Sequence, residues 1–140
     1  KLFSEILTKY FYQDFGIEPR MCRYHNVYGP FGTWDGGREK APAALCRKII
    51  KAKLSGDHSI DIWGDGEQTR SFMYIDDCLI GTRKVFDSDL DEVFNLGSDE
   101  QVSINQMIYM IEGIADYKIS KNYLTHNYTM TVFVSEKNNF

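Results

Sequence analysis

The sequence has no apolar run approaching the roughly 20 residues that a bilayer-spanning helix needs, and no signal peptide is visible at its start. It also lacks a basic excess. Sixteen Lys and Arg stand against 20 Asp and Glu, a net charge of -4, so a phosphate backbone is not the expected partner. Cysteine is sparse: Cys22, Cys46 and Cys78 lie far apart, with no CxxC and no ligand-like spacing to histidine. That excludes a disulfide framework and a metal centre, and it fits reduced thiols in a cytoplasmic protein. No repeat, linker or low-complexity segment breaks the chain. No strand-like stretch runs through a G-x-G-x-x-G loop into a helix, so no dinucleotide cradle is expected within these residues. Nor does the chain open on Met; Lys1 falls inside a helical pattern, which reads as a fragment or a processed product.

What is present is 140 residues, 43% hydrophobic and 26% charged, enough for one globular domain or a piece of one. Leu2, Phe3, Ile6, Leu7, Tyr10 and Phe11 recur at helical spacing, which predicts an amphipathic helix to about residue 14, ended by Gly16. Pro19–Tyr24 reads as a strand closed by the turn Asn26–Pro30, and a glycine-rich loop, Phe31–Gly37, follows. A helix starts near Ala41, with Pro42 in its first turn. Ile60–Ile62 is a strand entering the turn Gly64-Asp65-Gly66. Phe72–Ile75 is another, leading to a helix capped by Asp76 and carrying Leu79, Thr82, Val85 and Phe86. Val93–Leu96 is strand-like. Ser103 to Gln106 is a capping box for a helix with Met107, Ile108, Ile111 and Ile114 on one face. Strands and helices alternate, so the fold class is α/β. From Tyr117 the periodicity is lost; Lys121–Phe140, despite the β-prone Thr131–Val134, reads as a tail that packs poorly beyond about residue 120.

Three stretches can carry chemistry. Arg38-Glu39-Lys40-Ala41-Pro42 follows glycines and precedes a helix, a place where backbone approaches a ligand and anions are favoured. A lysine shielded there would have a lowered pKa suited to acid–base work. Spacing alone favours an ordinary solvated loop. Asp65–Ser71 is a turn that runs into polar residues with Arg70, whose planar fork suits a diphosphate, although without context an ordinary hairpin turn is the favoured reading. His25 could act as acid or base, but a lone histidine is more often packed or hydrogen-bonded. Trp34 and Trp63 could stack on a base or sugar, or be core or rim.

The order of these stretches is more telling than any one of them. Arg23 to Pro30, Trp63-Gly64-Asp65-Gly66, Arg70 to Asp77, and Asn95-Leu96-Gly97-Ser98 followed by Val102-Ser103-Ile104 resemble the extended short-chain dehydrogenase superfamily, the NAD-dependent epimerase/dehydratase group that modifies nucleotide sugars. Within it, Tyr28 to Trp34 and Gly36 to Ala44 resemble the GDP-mannose 3,5-epimerase branch. The match covers roughly residues 1 to 115.

The resemblance implies a Rossmann domain holding NAD and a smaller domain holding a GDP-sugar, truncated here at both ends. Residues 1–30 would close the Rossmann part, 31–116 would form the substrate-binding region, and 117–140 would be a divergent tail. Lys1 falls on the lysine of the Tyr-x-x-x-Lys pair, which holds the nicotinamide ribose and assists catalysis. The tyrosine, the glycine-rich NAD loop and a catalytic cysteine would lie upstream. Lys40 falls on the second acid–base group. Asn26, Glu39, Lys40, Ala41, Lys48, Gln68, Thr69 and Arg70 fall on substrate-contacting positions.

The implied reaction turns GDP-mannose into GDP-L-galactose, for ascorbate or cell-wall sugars, by transient C4 oxidation and epimerisation at C3 and C5. The implied assembly is a homodimer. The alternatives are a sister 4-epimerase, dehydratase or decarboxylase, or a chain that keeps the fold and does no chemistry. The family's arginine-bearing substrate loop has no counterpart in residues 117–140, and the isolated chain is expected to bind NAD weakly or not at all.

Overall fold

The computed structural model describes residues 2–124. Lys1, and with it the expected ribose contact, lies outside the described residues, as do residues 125–140 with Thr131–Val134. Among these residues four helices are interspersed with eight short strands, in keeping with α/β: α1 (Leu2–Phe15), β1 (Met21–Tyr24), β2 (Asn26–Tyr28), α2 (Ala41–Ser55), β3 (Ser59–Trp63), β4 (Thr69–Arg70), β5 (Phe72–Tyr74), α3 (Ile75–Phe86), β6 (Val93–Leu96), β7 (Val102–Ser103), α4 (Ile104–Ala115) and β8 (Ser120–Leu124).

The strands pair two by two. β1 runs parallel to β6, β2 parallel to β5 and β3 parallel to β8, while β4 is antiparallel to β7. Two runs of chain therefore change partner partway along. Residues 21–28 pair with β6 up to Tyr24 and with β5 from Asn26. Residues 69–74 pair with β7 up to Arg70 and with β5's partner β2 from Phe72. The changes fall at His25 and Ser71.

The main core lies between α2, α4 and the β3–β8 pair. Leu45, Ile49 and Ala52 of α2 meet Ile60 and Ile62 of β3, Met107 and Ile108 of α4, and Ile119 just before β8. The alternation in Ser59–Trp63, with Ile60 and Ile62 inward, is the period-2 pattern of a strand with one face buried. α4 begins as expected: the Ser103 side chain accepts from Gln106 N–H, and Gln106 Oε1 accepts from Ser103 N–H at 2.8 Å. Gly16, at φ +66, ends α1 with its N–H on the Tyr12 carbonyl, 2.9 Å away. α1 buries none of its residues. A two-toothed ion pair ties it to β1, with Arg23 Nε and Nη2 donating to the Glu5 carboxylate oxygens at 2.7 and 2.5 Å.

Several sequence expectations are modified. Asn26–Tyr28 is strand rather than turn, because β5 offers it a parallel partner; the chain turns one step later, at Gly29 and at Phe31 with φ 65. A Cβ on Gly29 would sit 2.5 Å from the Ile75 side chain, so only glycine lets the chain pass the start of α3. α3 is capped at Tyr74, not Asp76, and no side chain makes the cap bond. Asp76 and Asp77 lie in its first turn, where carboxylates favour the helix dipole. Leu79 and Phe86 are exposed, and Cys78 and Val85 take the buried face.

On α4, Ile114 is 87% exposed while Glu112 is buried. The Glu112 carboxylate accepts from Ile119 N–H at 2.8 Å and from Lys118 Nζ at 3.5 Å, which turns the chain under the helix. Order continues past residue 117: Ser120–Leu124 forms β8 in register with all five residues of β3. Backbone pairing requires no apolar pattern, so the polar Ser-Lys-Asn sequence concealed it.

Ile108 is fully buried in that core and Ile114 faces solvent. Ile108→Ala should lower stability by about 2–5 kcal/mol through the cavity it leaves. Ile114→Ala should change it by no more than about 0.5 kcal/mol. Urea unfolding of the two variants checks the contrast.

Candidate active site

The partner changes at His25 and Ser71 lie side by side. The His25 ring shares a hydrogen bond through Nδ1 with Ser71 Oγ at 3.2 Å, and Asn26 Nδ2 donates to the Ser71 carbonyl at 3.2 Å. His25 N–H bonds to the Leu96 carbonyl, 2.8 Å away, so the backbone is pinned to β6 just before it departs. The ring lies over Gly97: a Cβ there would fall 2.2 Å from Nδ1. Glycine in Asn95-Leu96-Gly97-Ser98 is thus a space requirement of the histidine.

A groove of about 510 Å³ opens at this junction, lined by Tyr24, His25, Asn26, Lys40, Thr69, Arg70, Ser71 and Gln101. Its wall holds two cations and no carboxylate, so it favours an anion. Thr69 Oγ1 donates to Gln101 Oε1 at 3.1 Å, and Arg70 Nη1 to the Thr69 carbonyl at 2.9 Å. Lys40 is the residue before α2, extended at φ -76, ψ 157, with no side chain capping the helix. The N-terminus of α2, with no side chain on its first-turn N–H groups, thus begins one residue after this part of the groove wall. A second cleft of similar size, about 540 Å³, lies between α1 and residues 89–92, but Glu18, Asp89, Asp91 and Glu92 outnumber Lys9 and Arg20 on its wall, which disfavours an anion.

The structure brings together Asn26, Lys40, Thr69 and Arg70 of the residues expected at the site, and leaves Glu39, Ala41, Lys48 and Gln68 off the groove wall. The Glu39 side chain, 8% exposed, turns back to accept a hydrogen bond from Arg47 Nη2. Its own peptide N–H, then the Arg47 guanidinium and the Gly37 N–H, hold its carboxyl below the ordinary value against the cost of burial. Ala41 is the first residue of α2. Lys48 Nζ donates to the Asp61 carbonyl at 2.7 Å, and Gln68 Nε2 to the Trp63 carbonyl at 3.0 Å. Lys40 itself is exposed rather than shielded. Gln101 was not singled out by sequence, Tyr24 and Ser71 appeared there only within longer stretches, and His25 was weighed as an acid or base against a packed or hydrogen-bonded residue. For Tyr24, His25 and Ser71 the signal is topological, because each sits at or beside a partner change; Gln101 joins the wall through its bond with Thr69.

With this geometry in view, the chain can be placed among known proteins. The family model of the NAD dependent epimerase/dehydratase family matches residues 1–97, and the chain belongs to that family. It is 53% identical over 119 residues to GDP-mannose 3,5-epimerase of Arabidopsis thaliana, a match covering 85% of this chain and 30% of that protein. UDP-glucose 4-epimerase of Thermotoga maritima, solved with UDP-glucose, superposes with a TM-score of 0.78 at 25% identity, over 92% of this chain and 40% of that one. UDP-glucuronic acid 4-epimerase of Bacillus cereus, solved with NAD, gives 0.66 at 37% identity, over 89% and 39%. The chain thus spans about a third of the length of the curated relative it matches.

The described residues do not themselves form a seat for the NAD pyrophosphate. Among them no strand passes through G-x-G-x-x-G into a helix. Gly36 and Gly37, at φ +92 and +82 ahead of α2, face open space. Among the described residues no cluster suited to a metal ion is present, and no helix is long and apolar enough to cross a membrane.

Gly97→Ala should expel the His25 ring, break its contact with Ser71 and cost about 1–3 kcal/mol of stability through overpacking. Shifted His25 ring resonances and faster amide exchange over residues 25–28 would report it; unchanged spectra would mean the ring does not rest on Gly97.

Proposed function

We propose that the protein is an NAD-dependent nucleotide-sugar epimerase that takes GDP-mannose to GDP-L-galactose, with these residues forming its substrate side. The observation that carries the reading is the meeting of Lys40, from the stretch Gly36 to Ala44 that resembles the branch, with Asn26 and Arg70 in one cationic groove. Arg70 and the N-terminus of α2 hold the diphosphate, and Asn26 and Thr69 orient what lies between it and the sugar. Glu39, Ala41, Lys48 and Gln68 remain part of the proposed substrate side, and Lys1 of the ribose contact.

NAD supplies the reversible oxidation at C4 of the sugar. A C4 ketone makes the neighbouring C3 and C5 protons acidic, and a base on one face can remove them while an acid on the other returns them. Lys40 Nζ is the group assigned to one face. None of the three cysteines suits the other: Cys78 is buried, Cys22 is half-buried, and burial pushes the half-buried Cys46 thiol up, away from the reactive thiolate. The homodimer implied by the resemblance belongs to this proposal, with α1 and its exposed Phe3, Ile6, Tyr10 and Phe11 as the element to carry it. A cytoplasmic location fits the free thiols.

In the full-length protein, Lys40→Met should abolish exchange of the C3 and C5 protons with solvent and leave GDP-mannose binding largely intact. The loss expected for an acid–base group is about 10²–10⁴-fold in rate. Arg70→Ala should chiefly raise KM, by roughly 10-fold or more, because it removes a charged contact made in ground and transition states alike. Proton exchange at the wild-type rate in Lys40→Met would move the reading to a 4-epimerase or dehydratase.

A further inference from the structure

The loop that delivers Lys40 is poorly suited to holding itself. Residues 31–39 include Gly32, Gly36 and Gly37, the last two in the left-handed region with open space around them, so ordering this loop carries a large backbone entropy cost. Its tether is Arg47, two turns into α2. Arg47 Nη1 lies 3.1 Å from Asp35 Oδ1, and Nη2 donates to Glu39 Oε1. The two carboxylates flank Gly36-Gly37-Arg38, so a single guanidinium closes the glycine-bearing part of the loop from both ends.

The guanidinium side chain is only 20% exposed and its Nε is buried with no partner among the described residues, as is Glu39 Oε2. Arg47 and Glu39 are thus largely withdrawn from solvent, while Asp35 is half exposed. Asp35 is held further by the Gly36 N–H on Oδ1 at 2.9 Å and by Lys51 at 4.0 Å. α2 in turn is fixed by Leu45, Ile49 and Ala52 in the core.

We propose that Arg47 is a positioning residue for the reaction: through Asp35 and Glu39 it fixes the residue before Lys40, and so sets where Lys40 Nζ stands in the groove. The Glu39 carboxylate then serves the site by bracing Lys40. The inference rests on the acid–base role assigned to Lys40. A planar fork that bridges two carboxylates is needed for this, which a lysine cannot replace.

The test uses the full-length protein with Arg47→Met and Arg47→Lys, the second carrying the comparison if the first does not fold. Two readouts are taken together: solvent exchange at C3 and C5 with kcat and KM for GDP-mannose, and amide exchange over residues 31–40. The expected result is a kcat lower by about 10²-fold in Arg47→Met, the scale of a misplacement of about 1 Å, with KM near wild type. Arg47→Lys should lie between, and loop amide exchange should rise in step with the loss in kcat. A changed KM with unchanged kcat, or faster loop exchange with wild-type kcat, would overturn the proposal. So would a fall in kcat with the loop amides as protected as before. If the unmutated protein showed no C3 or C5 exchange at all, the epimerase reading would fail. The amide exchange would then still decide whether Arg47 orders the loop.

Discussion

Two runs of backbone, 21–28 and 69–74, each change their pairing partner once, and the hydrogen bonds joining His25 and Asn26 to Ser71 hold the two changes at one level. Each change leaves a gap where the strands diverge. It lies past the carboxyl end of β1, and the space beyond the carboxyl ends of strands is where open α/β sheets bind ligands. Here the gap receives Asn26 from one run and Thr69 and Arg70 from the other, with Gln101 reaching across from the β7 side. The requirement for glycine at position 97, under the His25 ring, follows from the same crossing.

The third side of the groove comes from a different source. Lys40 stands at the start of α2, and the helix is set by burial of Leu45, Ile49 and Ala52 against β3 and α4. Core packing on one side of α2 and the Asp35–Arg47–Glu39 ion pairs on the other decide where a residue on a glycine-rich loop can stand. Catalytic groups on loops are usually held in this way, by rigid elements beneath them.

Much of this was legible before any coordinates. Helical spacing located α1, the Ser103–Gln106 capping box located α4, and Gly16 marked where α1 stops. The loop string around Lys40 pointed to the site. Elements defined by partners rather than by pattern were hidden: β2 reads as a turn, and β4 and β7 are two residues each. β8 has a polar sequence that only its pairing with β3 makes a strand. The distinction within Glu39-Lys40-Ala41 was equally hidden. Three adjacent residues look alike as candidates, yet Glu39 folds back on Arg47 while Lys40 faces the groove. Which way a side chain turns depends on a residue a full helix segment away.

The central claim is that the His25–Ser71 crossing and the Lys40 loop together form the seat of a GDP-sugar. A crystal structure of the full-length protein with NAD and GDP-mannose tests it most directly. The account predicts the diphosphate against Arg70 and the α2 N-terminus, with Lys40 Nζ beside the C3–C5 edge of the sugar. A sugar nucleotide seated away from this groove, or bound here with Lys40 turned to solvent on the far side of the loop, would contradict it.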